Sequence, residues 1–560
     1  MHFIFNMKQT NRKMKNSKQH SAGVLKGLRC ARMASGMIVA AGIAVLSACS
    51  SNFLDTMPDN RTTLDTGDKI VDLLTSAYPI TSNLVNNELM SDNMDYMGPQ
   101  NTEGDREGDM MYFWQDDKET GNDSPEEMWM NWNKSVAMAN QALQSIEELG
   151  GATTAQLRNA KGEALLLRAY CNFLLTNEFC MAYNSKTSDK DLGVYYSKQV
   201  EKLTAAAPRG TVAEDYANMA QDIEEGLPLI NDNYTVPKYH FNKQAAYAFA
   251  TRFYLYYEKW NLAEKYASLL LGSNPASSLR NYAELEAMPK STSDQSTKVA
   301  EAYCNVDKAC NLLICTTLGD AGYVLGPWGY YKRYSHTNYL AQTETVASNN
   351  IWGSAGNLIW KGFNYNQGQD NFYVLRKIPF EFEYEDPVAG YGFRHALNVT
   401  FSVDETLLNR AEAYIMLKQY DKAAADMNTW MHNFFKTDSV LTPDMIQKYF
   451  NGIAYSYSDD SKMVGTPKKH LNPNFAIDAE GSVQETMLQC VLDLRRVETV
   501  HQGLRWFDIK RYNIVIPRRQ IGSDGKPEKV IDWLKVNDPR MAVQIPQSIT
   551  ASGVTPNPRN

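Results

Sequence analysis

A mainly α-helical fold, in which tetratricopeptide-like helical hairpins carry a loop-rich lobe, is predicted by three features of the sequence. The first is a seam of small and apolar residues, Leu157, Ala160, Ala164, Leu167, Cys171 and Leu174, which recur at three- and four-residue steps with no proline and so predict an amphipathic helix over about 155–180. The second is an internal repeat: Tyr254, Trp260, Ala263 and Ala267 return 160 residues later as Tyr414, Tyr420, Ala423 and Met427. In each copy an aromatic closes one helix, a short turn follows, and a small residue lets the next helix pack close. Trp430 departs from the pattern by standing where a small residue is usual, and Pro275 ends the first pair. The third is the stretch between the hairpins, where Gly319, Gly322, Gly326, Gly329, Gly353, Gly362, Gly390 and Gly392 are interleaved with aromatics. Such a stretch cannot be regular helix, and turns with at most short strands are expected.

In chain order, Lys8, Arg12, Lys13, Lys15, Lys18, Lys26, Arg29 and Arg32 come first with no acidic residue among them, followed by the apolar run 37–46 and then Ser47-Ala48-Cys49. The run is too short to span a bilayer core, which needs ~20 apolar residues. Small residues directly before a cysteine make 1–48 a lipoprotein signal peptide, with a mature chain that begins at an acylated Cys49. Residues 49–275 are expected to form an N-terminal helical region, 276–402 the loop-rich lobe and candidate ligand-binding region, and 403–560 a C-terminal helical region. Within the first of these, Thr211 and Glu214 form a capping box that starts a helix running to about residue 225.

Removing the leader leaves 48 basic against 64 acidic residues, a net charge of −16, which makes nucleic acid an unfavourable partner. Cys304, Cys310 and Cys315 lack the C-x-x-C knuckle of structural zinc sites, and Cys171 and Cys180 read as small core residues. Asn231-Asp232-Asn233 lacks the glycine and terminal glutamate of a calcium loop. No metal or cofactor is expected. Neither H-E-x-x-H nor G-x-S-x-G occurs, and the acidic run from Glu381 to Asp386 reads as a solvated face rather than a pair of catalytic carboxylates, so no enzymatic activity is expected.

Recognition fits the residues better. Tyr323, Trp328, Tyr330 and Tyr331, with Lys332 and Arg333 beside them, combine flat rings with hydrogen-bond donors on a glycine-rich segment. A sugar presents an apolar C–H face and a polar rim, which such a platform suits.

Taken in order, several pieces resemble the SusD/RagB family of outer-membrane nutrient-binding lipoproteins. They are Phe53-Leu54-Asp55 after the cysteine, the helix containing Trp132 and Asn140, Arg168-Ala169-Tyr170, Asp191-Leu192-Gly193-Val194 and Arg410-Ala411-Glu412-Ala413-Tyr414. The last are Arg495-Arg496-Val497-Glu498 and Gly503-Leu504-Arg505-Trp506-Phe507-Asp508-Ile509-Lys510-Arg511. Because Arg and Asp alternate with Val, Trp, Phe and Ile at helical spacing, these last two motifs read as salt-bridged packing. Gln502 stands where the family usually has a carboxylate, and the tail through Asn557-Pro558 lacks the family's common Gly-aromatic ending.

The resemblance implies a SusD-like, lipid-anchored outer-membrane protein that captures an oligomeric nutrient, a glycan above all, and passes it to a SusC-type TonB-dependent transporter. By position it also implies that Asp92, Asn93 and Tyr96 contribute ligand contacts. The alternative is a lipoprotein whose tetratricopeptide-type repeats bind peptides or proteins.

Cys49→Ala is expected to move the protein from the membrane fraction to the soluble fraction and to abolish palmitate labelling. A variant that is still labelled and still sediments with the outer membrane would refute lipidation at this cysteine.

Overall fold

In the computed structural model, which describes residues 63–201, 207–326, 332–366, 372–457 and 464–559, five of the longer helices start at side-chain caps. Ser124, Thr154, Asn242, Ser402 and Ser482 each accept a backbone N–H from the first turn of the helix they precede. The capping box is formed as expected: Thr211 accepts the Glu214 N–H at 3.2 Å, Glu214 accepts the Thr211 N–H at 2.9 Å, and the helix runs Val212–Gly226. The leader and Cys49 lie outside the described residues.

The seam helix is Ala155–Phe179, and from Gly162 onward every residue of it is buried. It is therefore a core helix rather than an amphipathic one. Helices Pro125–Glu148 and Val212–Gly226 pack on it from two sides, and its polar side chains are absorbed by partners. Arg168 forks onto both oxygens of Asp222 at 2.7 Å, Thr176 donates to Asp215 at 3.1 Å, and Tyr78 donates to Glu163 at 2.7 Å. These pairings are what conceal its true environment from a count of apolar spacings.

Both repeat hairpins are present, Lys243–Tyr256 with Trp260–Leu271 and Val403–Met416 with Tyr420–Phe434. The repeat runs deeper than the four matched residues. The caps Asn242 and Ser402 keep the 160-residue offset, as do Glu258 and Lys418, the turn residues at φ +59°. Trp430 fits because it is no spacer: buried, it stacks on Phe434 at 4.8 Å and donates its indole N–H to Glu498 at 2.8 Å, tying the second hairpin to helix Val483–Thr499. At equivalent positions the hairpins carry opposite charges. Arg252 grips both Glu405 oxygens, whereas Glu412 receives Arg495, Arg511 and the Tyr512 hydroxyl.

The region expected to hold at most short strands contains longer ones. A three-stranded antiparallel sheet has the twelve-residue strand Tyr391–Ser402 at its centre, with Asn311–Leu318 and Phe380–Asp386 on its flanks. One end of the central strand is anchored in the helical core, where Phe401 meets Tyr170 at 5.6 Å and lies 4.4 Å beneath the Arg252 guanidinium. The other end projects outward as a hairpin. An eleven-residue helix, Ser293–Tyr303, precedes the sheet.

Helices Val483–Thr499 and Leu504–Tyr512 hold the two motifs expected to pack through ion pairs, and they do. Arg496 reaches Glu344 at 3.0 Å and Asp92 at 3.4 Å, while Arg505 grips both oxygens of Asp92 at 2.8 and 2.9 Å. Glu344 also receives Lys469 at 2.6 Å, Arg519 at 3.1 Å and the Tyr457 hydroxyl at 2.8 Å. Burial alone would raise the Glu344 pKa, but Lys469, Arg519 and Arg496 outweigh it and hold the group at about 2.

Glu344→Gln leaves three buried cations short of a counter-charge, so it is expected to destabilise the fold by about 3–5 kcal/mol at neutral pH, read as a lower urea midpoint. Because the folded pKa lies below the ordinary 4.5, the parent's advantage is full above that pH and disappears as the pH falls through about 2. A midpoint equal to the parent's at pH 7 would refute the account.

Candidate functional site

The rings best placed to meet a ligand lie on the projecting hairpin. Phe380, Phe382 and Tyr384 alternate along strand Phe380–Asp386 and so share one face, with Arg394 and Gly392 paired opposite Phe382 and Tyr384. Gly392 is required there, since a Cβ would come within 2.0 Å of the Glu383 carbonyl oxygen and 2.9 Å of the Phe382 ring. Phe382 and Tyr384 meet at 4.8 Å and Tyr384 is 58% exposed, so the edge of this aromatic ledge is open to solvent.

Tyr323 continues the ledge. It sits 5.8 Å from Phe380 on the short helix Ala321–Val324, which approaches the strand closely because Gly322 lies against the Pro379 carbonyl where a Cβ would come within 2.3 Å. The Arg394 guanidinium lies 4.2 Å over the Tyr323 ring and pairs with Asp320 at 2.7 Å. Flat rings thus border a cation and a carboxylate held in fixed register.

Asp320 also lines a cavity of about 210 Å³ together with Asp105, Glu107, Asp123, Asn86 and the apolar side chains of Val85 and Leu89. Asp123 reaches it past Gly319, whose φ of +145° and missing Cβ make room for the carboxylate, and its Oδ2 accepts the Asp320 N–H at 2.7 Å. Burial is the main cause that lifts Asp123 to about 7 and Glu107 to about 9, and in Glu107 repulsion from Asp123, Asp117, Asp105 and Asp320 adds to it. Among the described residues, no three His, Cys, Asp or Glu side chains converge as a metal site.

The residues singled out from sequence are distributed differently. Asp92 and Asn93, expected as ligand contacts, are buried: Asp92 is held by Arg505 and Arg496, and the Asn93 side-chain oxygen accepts from Arg496 at 2.9 Å. Their polar groups are committed to the core, which corrects that expectation. Tyr96 is half-buried in a cluster with Tyr112, Phe113 and Tyr334. Arg333 grips Asp109 of helix Arg106–Tyr112 at 2.8 and 3.0 Å and Lys332 pairs with Glu103 in the loop before it at 3.2 Å, so both brace that segment. Tyr323 is on the ledge, while Trp328, Tyr330 and Tyr331 lie outside the described residues.

Residues 52–255 match the family model SusD-like_3, described as starch-binding associating with outer membrane. This part of the chain is similar to that family. Solved structures share the chain's fold. A putative sugar binding protein from Bacteroides vulgatus superposes with a TM-score of 0.60 at 20% identity, covering 89% of this chain and 99% of that one. A SusD superfamily protein from Bacteroides thetaiotaomicron gives 0.58 at 17%, covering 88% and 100%, and a laminarin binding SusD-like protein gives 0.53 at 15%, covering 88% and 98%. No curated protein sequence matches the chain.

The ledge rings Phe380, Phe382 and Tyr384 escape a reading of the sequence that weighs the run containing them for its charge. The signal was present as the strict alternation Phe-Glu-Phe-Glu-Tyr-Glu over 380–385, a period-2 strand with its rings on one side. The cavity carboxylates gave no such signal, since Asp105 and Asp320 are brought together from distant segments.

Because the Asp123 pKa rises from 3.8 to about 7 on folding, its penalty is absent below pH 4, grows as pH rises, and is complete above pH 7. Asp123→Asn in the ligand-free protein is therefore expected to raise the melting temperature by roughly 2 °C at pH 8 and hardly at all at pH 4. An equal shift at both values would rule out ionisation as the cause.

Proposed function

We propose that this protein is a cell-surface glycan-binding lipoprotein, anchored through Cys49 in the outer membrane, that captures oligosaccharides and hands them to a SusC-type TonB-dependent transporter. The observation that carries the reading is the aromatic ledge of Tyr323, Phe380, Phe382 and Tyr384 with the Arg394–Asp320 pair on its border. Rings take the C–H faces of successive sugars and the ion pair takes their hydroxyls, an arrangement that binds without supplying a reaction. The match of residues 52–255 to a starch-binding family model supports the same class of ligand, and the similarity in fold to a laminarin binding protein makes a β-glucan a sensible first probe.

In this reading Trp328, Tyr330 and Tyr331, which fall between Tyr323 and Arg333 in sequence, add further rings to the same ligand site. The helical hairpins form the rigid body that docks on the transporter.

Truncating an exposed ring removes a contact worth about 1–3 kcal/mol, so Tyr384→Ala is expected to weaken oligosaccharide binding at least ~5-fold in calorimetry against a glucan panel. The melting temperature should stay within about 1 °C of the parent's, because the ring contributes little to the core. Unchanged affinity for every bound glycan would remove the ledge from the site.

A further inference from the structure

The cavity beside the ledge has an acidic lining. Asp105, Glu107, Asp123, Asp320, Asn86 and Asn122 line it together with Val85 and Leu89, and no lysine or arginine is among its lining residues. Two of the acceptors lack any donor. Asn86 is 1% exposed and Asp123 8% exposed, yet Asn86 Oδ1 and Asp123 Oδ1 make no hydrogen bond among the described residues. Their other polar atoms are engaged, Asn86 Nδ2 donating to the Asp123 carbonyl at 2.7 Å and Asp123 Oδ2 accepting from the Asp320 N–H at 2.7 Å, so each free oxygen is held in place. Buried acceptors without donors are costly, and a group of carboxylates with two of them calls for a cationic donor.

The chemistry of that donor follows from the walls. A bare divalent ion needs carboxylates converging on one point, which the described residues do not provide, and it gains nothing from an apolar wall. A primary ammonium on a carbon ring uses both features: up to three N–H donors for scattered acceptors, and a C–H surface for Val85 and Leu89. Asp320 gives the cavity its connection to the ledge, since the same carboxylate lines the cavity and holds Arg394 over Tyr323.

We propose that the cavity formed by Asn86, Asp105, Glu107, Asp123 and Asp320 binds the free amino group of an amino-sugar residue in the captured glycan. The proposal rests on the glycan reading of the ledge and makes it specific: the cargo carries positive charge.

Calorimetry with a glucosamine hexamer, its N-acetylated counterpart and a neutral glucose hexamer, run with a chelator present, tests it. The amino hexamer should bind about tenfold or more tightly than either of the others, and Asp123→Asn and Glu107→Gln should each remove most of that preference while leaving neutral-glycan affinity intact. Equal affinity for the three, or a preference kept by both variants, overturns the proposal while Tyr384-dependent binding keeps the glycan reading standing. If no hexamer binds, the glycan reading fails. Monomeric glucosamine titrated by NMR then decides the cavity alone, with binding abolished by Asp123→Asn in support and no binding against. A saturating calcium isotherm without chelator that is lost in Asp123→Asn overturns the ammonium assignment in favour of a metal site.

Discussion

One buried carboxylate, Glu344, receives cations from three separate stretches of chain, and the relative placement of those stretches depends on it. Lys469 comes from a loop, Arg496 from helix Val483–Thr499 and Arg519 from strand Ile516–Ile521. Neighbouring Asp92 and Asp95 extend the cluster by holding Arg505 and Arg519, so a segment near the start of the described residues is clamped to one more than 400 residues later. Charges removed from water recover their solvation only when every partner is in position. The cluster therefore works as a specification of topology, since a misplaced strand or helix would leave several ions unpaired at once.

Against that clamped body the functional surface is built from the opposite principle, rings left partly bare. The central strand Tyr391–Ser402 passes from one regime to the other along its length, with Phe401 among core aromatics and Phe393 40% exposed. Rooting one end of a strand in a rigid helical core while its other end carries a ledge fixes the spacing and tilt of the rings before any ligand arrives, so little ordering cost remains to be met on binding.

What sequence could reveal divides along the range of the interaction. The capping box at Thr211 and Glu214 and the two hairpins were readable because each is decided by residues within a few turns of one another. The motif from Gly503 to Arg511 was readable as ion-paired packing, but not its partners, because Asp92 and Glu412 are distant in sequence and only folding brings them near. That same distance hides the burial of Asp92 and Asn93, which the resemblance implies by position as ligand contacts, because the arginines that hold them lie about 400 residues away. Glycine misled in one respect, since Gly322 and Gly392 serve close backbone approach rather than turns. At the ledge the pattern was present and a competing one, charge, was weighed above it.

The opposite charges at matching places in the two hairpins mean that the copies have ceased to be interchangeable. Were the first hairpin duplicated into the second position, the counterpart of Arg252 would arrive at residue 412, facing Arg495 and Arg511, and three guanidinium groups would share one dry pocket with Asp508 as the one carboxylate paired to them among the described residues. Each hairpin thus carries an address written in charge. A slip by a whole unit would set like charges together, so the parts assemble in one order.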